Sequence, residues 1–166
     1  MSTQCLRFLV PLLLMPLSAE AAEIAKQGTD SYTTTYVVTS SHAMKLGDRT
    51  YTTLEFGGIA RNDKGSGMFH NMGVRCLGTR DAVGNEVTAR GTCIEMDKDG
   101  DQVFTTYEAK GSPSTGVPVA GAHVFVGGTG KYIGISGKAD YSVEPVKAPD
   151  NMPMFIVPHK ATWKLQ

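Results

Sequence analysis

The chain has no excess of either charge: 16 Lys and Arg face 16 Asp and Glu in 166 residues. Nucleic-acid binders depend on a basic surface, so that class of partner is excluded. Charged residues make up only 19% of the sequence and apolar ones 41%, which excludes a chain held open by its own repulsion. After the N-terminal region no run is long and apolar enough to cross a bilayer. No segment keeps apolar residues at helical spacing for the roughly 11 residues that an amphipathic helix requires. There is no C-x-x-C, no H-E-x-x-H and no defensible Ser/His/Asp order, so the common thiol, zinc and triad chemistries have no footing. No N-x-[ST] sequon occurs either. No cofactor is expected, and no feature assigns an oligomeric state.

What the sequence does have begins with an address. Arg7 precedes a ten-residue apolar run, Phe8 to Leu17, and Ala19-Glu20-Ala21 follows with the small-x-small spacing that a signal peptidase reads. The run holds two prolines and is too short for the ~30 Å hydrocarbon layer, so a cleaved signal peptide over 1–21 is expected and a membrane anchor is not. Cys5 precedes the run and does not close it, which argues against a lipoprotein. Residues 22–166 then form a single domain, secreted or periplasmic, with no membrane insertion after cleavage. They retain Cys76 and Cys93 in a compartment where disulfides persist.

All 19 glycines lie after residue 21 and punctuate short runs rich in Thr, Val, Tyr and Ile. The expected strands are Tyr32–Thr39, Thr50–Arg61, Met68–Leu77, Glu86–Met96, Gln102–Ala109, Ala120–Gly127, Lys131–Val143 and His159–Leu165, with loops over 112–118 and 145–158. Strands joined by short hairpins, about eight of them, favour an all-β, eight-stranded antiparallel up-and-down barrel over a sandwich. A barrel of that size either fills with side chains or encloses one small ligand.

The cysteines test the register. Gly84-Asn85 suits a two-residue hairpin of type II′. Residues facing each other across that turn have numbers with a constant total, and Cys76 and Cys93 meet the condition. They are expected to form a disulfide whose role is stability.

Two segments carry suggestive chemistry. From Asp97 to Glu108 the spacing of Asp97, Asp99, Asp101 and Glu108 mimics a Ca²⁺-binding loop, but Gln102 stands where that loop needs glycine. A hairpin turned at Asp99-Gly100 is the favoured reading, because flanking strands carry Glu108 away from the aspartates. A weak Ca²⁺ site on the three aspartates is the second reading. In Gly127-Gly128-Thr129-Gly130-Lys131-Tyr132 the glycines suggest a phosphate cradle. A P-loop, however, needs Ser or Thr after the lysine and then a helix, so a turn between strands is favoured.

This second segment also carries a resemblance. Val126 to Tyr132, followed by Gly134, Gly137 and Ala139-Asp140-Tyr141, resembles the glycine-rich hallmark of the calycin-like superfamily of allene oxide cyclase-like and dirigent barrels. The resemblance extends loosely over residues 30–166. It implies an eight-stranded antiparallel barrel whose interior, in plant relatives, cyclises fatty-acid epoxides or orients phenoxy radicals. Ile135-Ser136-Gly137 stands where dirigent proteins usually have Ala-Arg-Gly, so one of their basic residues is missing and no catalytic residue is carried over.

The interior is then read from alternation. Met68, His70, Met72, Val74 and Cys76 share one face; Thr52, Leu54 and Phe56 share another, opposed by Tyr51, Thr53 and Glu55. His70, Glu55 and Glu95 are weak acid/base candidates if they point inward, where burial would raise a carboxyl pKa. Their ordinary role is an outward solvated residue or a satisfied core group, and His123 and His159 receive no role. The leading functional reading is an exported barrel that binds a small apolar or aromatic molecule. The alternative is a cyclase or isomerase that orients a reactive substrate in a dry cavity, and a packed structural or interaction protein comes third. Convergent polar groups in an open cavity favour the enzyme, a smooth apolar lining the carrier.

Overall fold

The computed structural model describes residues 24–111 and 119–166; the expected signal peptide and the 112–118 loop lie outside the described residues. Nine strands follow one another: β1 (Gln27–Leu46), β2 (Arg49–Asn62), β3 (Met72–Val83), β4 (Glu86–Met96), β5 (Gln102–Gly111), β6 (Ala120–Gly128), β7 (Ser136–Ser142), β8 (Glu144–Val146) and β9 (Met154–Lys164). All pairings are antiparallel and follow chain order from β1 to β7; β9 then pairs with β7 on one side and β1 on the other, closing the sheet. The short β8 continues the position of β7 along β9, with Glu144 opposite Ile156. The result is a closed eight-stranded antiparallel barrel. Among the described residues no helix is long and apolar enough to cross a membrane.

Strand ends depart from expectation for local reasons. β1 runs for 20 residues, because Gln27 to Val37 pairs with β9 while Tyr32 to Leu46 pairs with β2, with a bulge between Val38 and Ser40. β3 begins at Met72 and not at Met68, since Phe69 (φ 61°) and Asn71 (φ 53°) adopt left-handed backbone that no strand tolerates. β7 begins at Ser136, not Lys131, because a 3₁₀ turn at Gly130–Tyr132 and Gly134 (φ 76°) interrupt the chain. The proline-rich stretch contains β8 and the first part of β9, so the expected loop over 145–158 shrinks to 147–153.

The β3–β4 hairpin turns at Gly84 (φ 52°) and sets Cys76 opposite Cys93. The two form a disulfide with Cα atoms 4.1 Å apart, and both side chains are buried inside the barrel. Closing a loop of this length stabilises the fold by about 3 kcal/mol.

One end of the barrel is plugged. The loop between β2 and β3 drops Phe69 into the interior, where it stacks on Tyr32 (centroids 4.6 Å apart) and Phe125 (5.4 Å). Trp163, Tyr132, Ile135 and Leu165 are buried around it. Asp30 fastens this end by accepting hydrogen bonds from Trp163 Nε1 (2.9 Å), Asn62 Nδ2 (3.1 Å) and Lys64 Nζ (3.2 Å). Burial pushes the Asp30 carboxyl up, but these hydrogen bonds outweigh it and hold it below its ordinary value. Asn62 Nδ2 also donates to the Met68 carbonyl at 2.8 Å, tying the plug loop to β2.

Candidate functional site

Among the described residues the opposite end is open. Between the end of β3 and the β9 strand lies a cavity of about 320 Å³, within the range of small-molecule sites. Its walls are mainly carbon: Val38, Leu54, Phe56, Val143, Phe155 and Val157 contribute aliphatic and aromatic surface. Leu54 and Phe56 are there because the inward face of β2 is the Thr52, Leu54, Phe56 face.

Polar groups enter this wall at a few points. Tyr36, Tyr107, Tyr141 and His123 line the inner part, Thr52, Ser41 and Arg80 the outer part. Tyr107 lies flat across two glycines: a Cβ at Gly78 would meet its hydroxyl at 2.0 Å, and one at Gly91 its ring at 2.7 Å. The paired glycines of β3 and β4 therefore make room for the phenol against the wall. His123 packs at 5.0 Å from Tyr141 and 5.4 Å from His159, and its Nδ1 shares a 3.1 Å hydrogen bond with Thr105 Oγ1. His159 in turn stacks on Tyr32 at 4.3 Å. The floor of the cavity is thus a layer of tyrosine and histidine rings.

Burial sets the protonation of that layer. It pushes His123 down to about 4 and His159 well below its ordinary value, so both rings are neutral at physiological pH. It pushes Tyr107 up to about 12 and raises Tyr36 and Tyr141 as well, so the phenols keep their protons. The Tyr107 hydroxyl has no partner among the described residues.

The residues singled out from sequence scatter. Glu95 does point inward from β4 and is fully buried; burial raises its carboxyl to about 7, and its Oε2 has no protein partner. It lies toward the plugged end, outside the cavity wall. Glu55 is on the outer face, paired with Arg75 at 2.6 Å, which removes the inward alternative. His70 is half-buried in the plug loop, because the strand that would have turned it inward starts at Met72.

Asp97, Asp99 and Asp101 form the β4–β5 turn, with Gly100 at φ 87°. The Asp97 carboxylate accepts from the backbone N–H of Asp99 (2.9 Å) and Asp101 (3.1 Å). The Lys131 ammonium sits among the carboxylates, 2.5 Å from Asp97, 2.7 Å from Asp99 and 3.9 Å from Asp101, and Tyr132 Oη donates to Asp97 at 2.9 Å. The two suggestive motifs of the sequence are therefore the two halves of one clamp at the plugged end. That ammonium supplies the positive charge a cation would bring, and it draws Asp99 down to about 2. Among the described residues no group of three or more His, Cys, Asp or Glu is arranged to hold a metal.

Comparison with solved structures finds the pterocarpan synthase dirigent protein GePTS1 similar to this chain, with a TM-score of 0.50 and 11% identity, covering 92% of this chain and 98% of that one. The barrel has the dirigent-type fold. No protein-family model and no curated protein matches the sequence. In this dirigent-type barrel the residues that line the cavity were mostly silent in the sequence. Alternation places His123 with Phe125, and His159 with Val157, Ala161 and Trp163, on one apolar face, and that shared face is the signal that both histidines are interior.

Proposed function

We propose that this protein is exported and binds a small aromatic or apolar molecule inside the barrel. The observation that carries the reading is the cavity itself: about 320 Å³, open at one end, walled by hydrocarbon and floored by rings. A buried disulfide supports the export part, since such bonds persist in oxidising compartments. The rings of Tyr107, Tyr141 and His123, tilted by 47° and 50° to one another, offer both faces and edges to an aromatic ligand at the usual aromatic distances.

Native mass spectrometry of protein purified from its own host, together with thermal shift against naphthamide as a neutral aromatic probe, tests this. A retained small molecule, or a naphthamide-dependent rise in Tm that Leu54→Trp abolishes by filling the cavity, is the expected result. Protein that carries nothing and whose Tm ignores naphthamide overturns it.

The presence of three tyrosines and the His123 ring on the lining of one cavity favours a second reading, an enzyme of cyclase or isomerase type. Such an enzyme would act by confinement and by hydrogen bonds from neutral donors. Proton transfer is poorly served, because His123 near 4 and Tyr107 near 12 both lie far from neutral pH. That mismatch is why binding stands first.

A further inference from the structure

Among the described residues Arg80 is the only charged side chain on the cavity wall, given that His123 is neutral there. It occupies an inward-facing position near the end of β3, opposite Thr52 on β2 and Ala89 on β4. Among the described residues it forms no ion pair, and its Nε is buried without a hydrogen-bond partner. The neighbouring Asp81 is not available, since it points outward and is gripped by Arg49. Residues 112–118, which complete the chain between β5 and β6, contain no Asp or Glu. A guanidinium half-buried beside hydrocarbon loses hydration, and here it recovers no anion among the described residues.

From this we infer that the ligand is an aromatic carboxylate, its ring seated on the tyrosine and histidine floor and its acid group paired with Arg80 at the mouth. The inference rests on the binding role proposed above and adds the ligand's charge and orientation. Three features point the same way. The guanidinium fork matches a carboxylate bidentately. Thr52, directly opposite Arg80, places a hydroxyl on the same wall as a further donor. The other described lining groups are neutral, so a second charge on the ligand would find no partner among them, which selects a monoanion over a dianion or a cation.

Naphthoate and its neutral isostere naphthamide separate the charge from the ring. Titrated at low salt, the wild-type protein is expected to bind naphthoate about tenfold or more tightly than naphthamide, the value of one charge-assisted pair. Raising the salt should erode that preference while leaving naphthamide affinity alone, since the pair sits at the mouth. In Arg80→Gln the two probes should bind alike, at the wild-type affinity for naphthamide; Arg80→Lys should keep part of the preference. Equal binding by the wild type, or a preference that survives Arg80→Gln, overturns the inference. Should Arg80→Gln not fold, a wild-type preference that is insensitive to salt overturns it equally. Binding of naphthamide without a naphthoate preference sinks this inference alone, whereas binding of neither probe sinks the binding role as well.

Discussion

The two ends of the barrel share the same strands and use them in opposite ways. At the plugged end apolar side chains meet one another, and two charged groups are matched: Asp30 by Trp163, Asn62 and Lys64, and Lys131 by Asp97 and Asp99. At the open end apolar side chains face a cavity and Arg80 faces no carboxylate among the described residues. Strand number sets the diameter of both ends, so it cannot explain the contrast. The connections do. The chain between β2 and β3 is long enough to fold back and lower Phe69 inside, whereas the hairpin at Gly84-Asn85 is a tight turn with nothing to lower. Among the described residues, core and pocket differ by the loops laid on one sheet.

The contrast can be broken most forcefully at the plug. Phe69→Ala removes a fully buried ring stacked on two others and should cost about 3–5 kcal/mol in urea unfolding. Naphthamide affinity at the far end should be unchanged in the folded fraction. Equal loss of binding would mean that the ends are not independent.

Glu95, buried toward the plugged end and outside the cavity wall, gives the next effect. Its carboxyl titrates near 7 in the folded state against an ordinary value of 4.5, so the folded protein holds a proton that the unfolded chain has lost. Stability from this group is therefore full below about pH 4.5 and drains away as pH rises towards 7. Glu95→Gln should flatten that part of the stability profile and gain roughly 2–3 kcal/mol at pH 8, measured by urea unfolding across the range. A profile with the same slope in both proteins would remove Glu95 as the cause.

The smallest effect on stability should come from the open end. Phe155 is half-buried on the cavity wall, and Phe155→Ala should cost about 1 kcal/mol or less. Naphthamide affinity should nevertheless fall, by calorimetric titration, because the lost surface is ligand contact and not core. A stability loss comparable to that of Phe69→Ala would contradict the division of labour.

How much of this was legible in the sequence follows from what period-2 alternation and turn chemistry encode. The all-β class, the division of β2 into a Thr52, Leu54, Phe56 face and a Tyr51, Thr53, Glu55 face, and the Cys76–Cys93 bridge were readable, because each depends only on alternation and on one two-residue turn; which face of β2 points inward was not. The plug was not. Phe69 reaches the interior through left-handed backbone at two non-glycine residues, and that is held by tertiary contacts which no local pattern announces. The clamp was half visible: the aspartate turn and the glycine-lysine motif each stood out, but 30 residues separate Asp101 from Lys131, and only barrel closure joins them. Arg80 was missed because a single arginine near a hairpin reads as solvated surface; its meaning comes from the cavity beside it.

Barrel closure by β1 against β9 also has a consequence for the order of events in the cell. A ribosome or a translocation pore delivers the chain from its N-terminus, so β1 must wait, its outer edge bare, while every intervening strand emerges. No partial product can complete the ring, and folding is postponed until the last strand arrives. A chain that cannot fold early stays threadable, which is the state a narrow export channel demands. The same delay leaves the β1 edge open to capture by a chaperone or by another nascent copy.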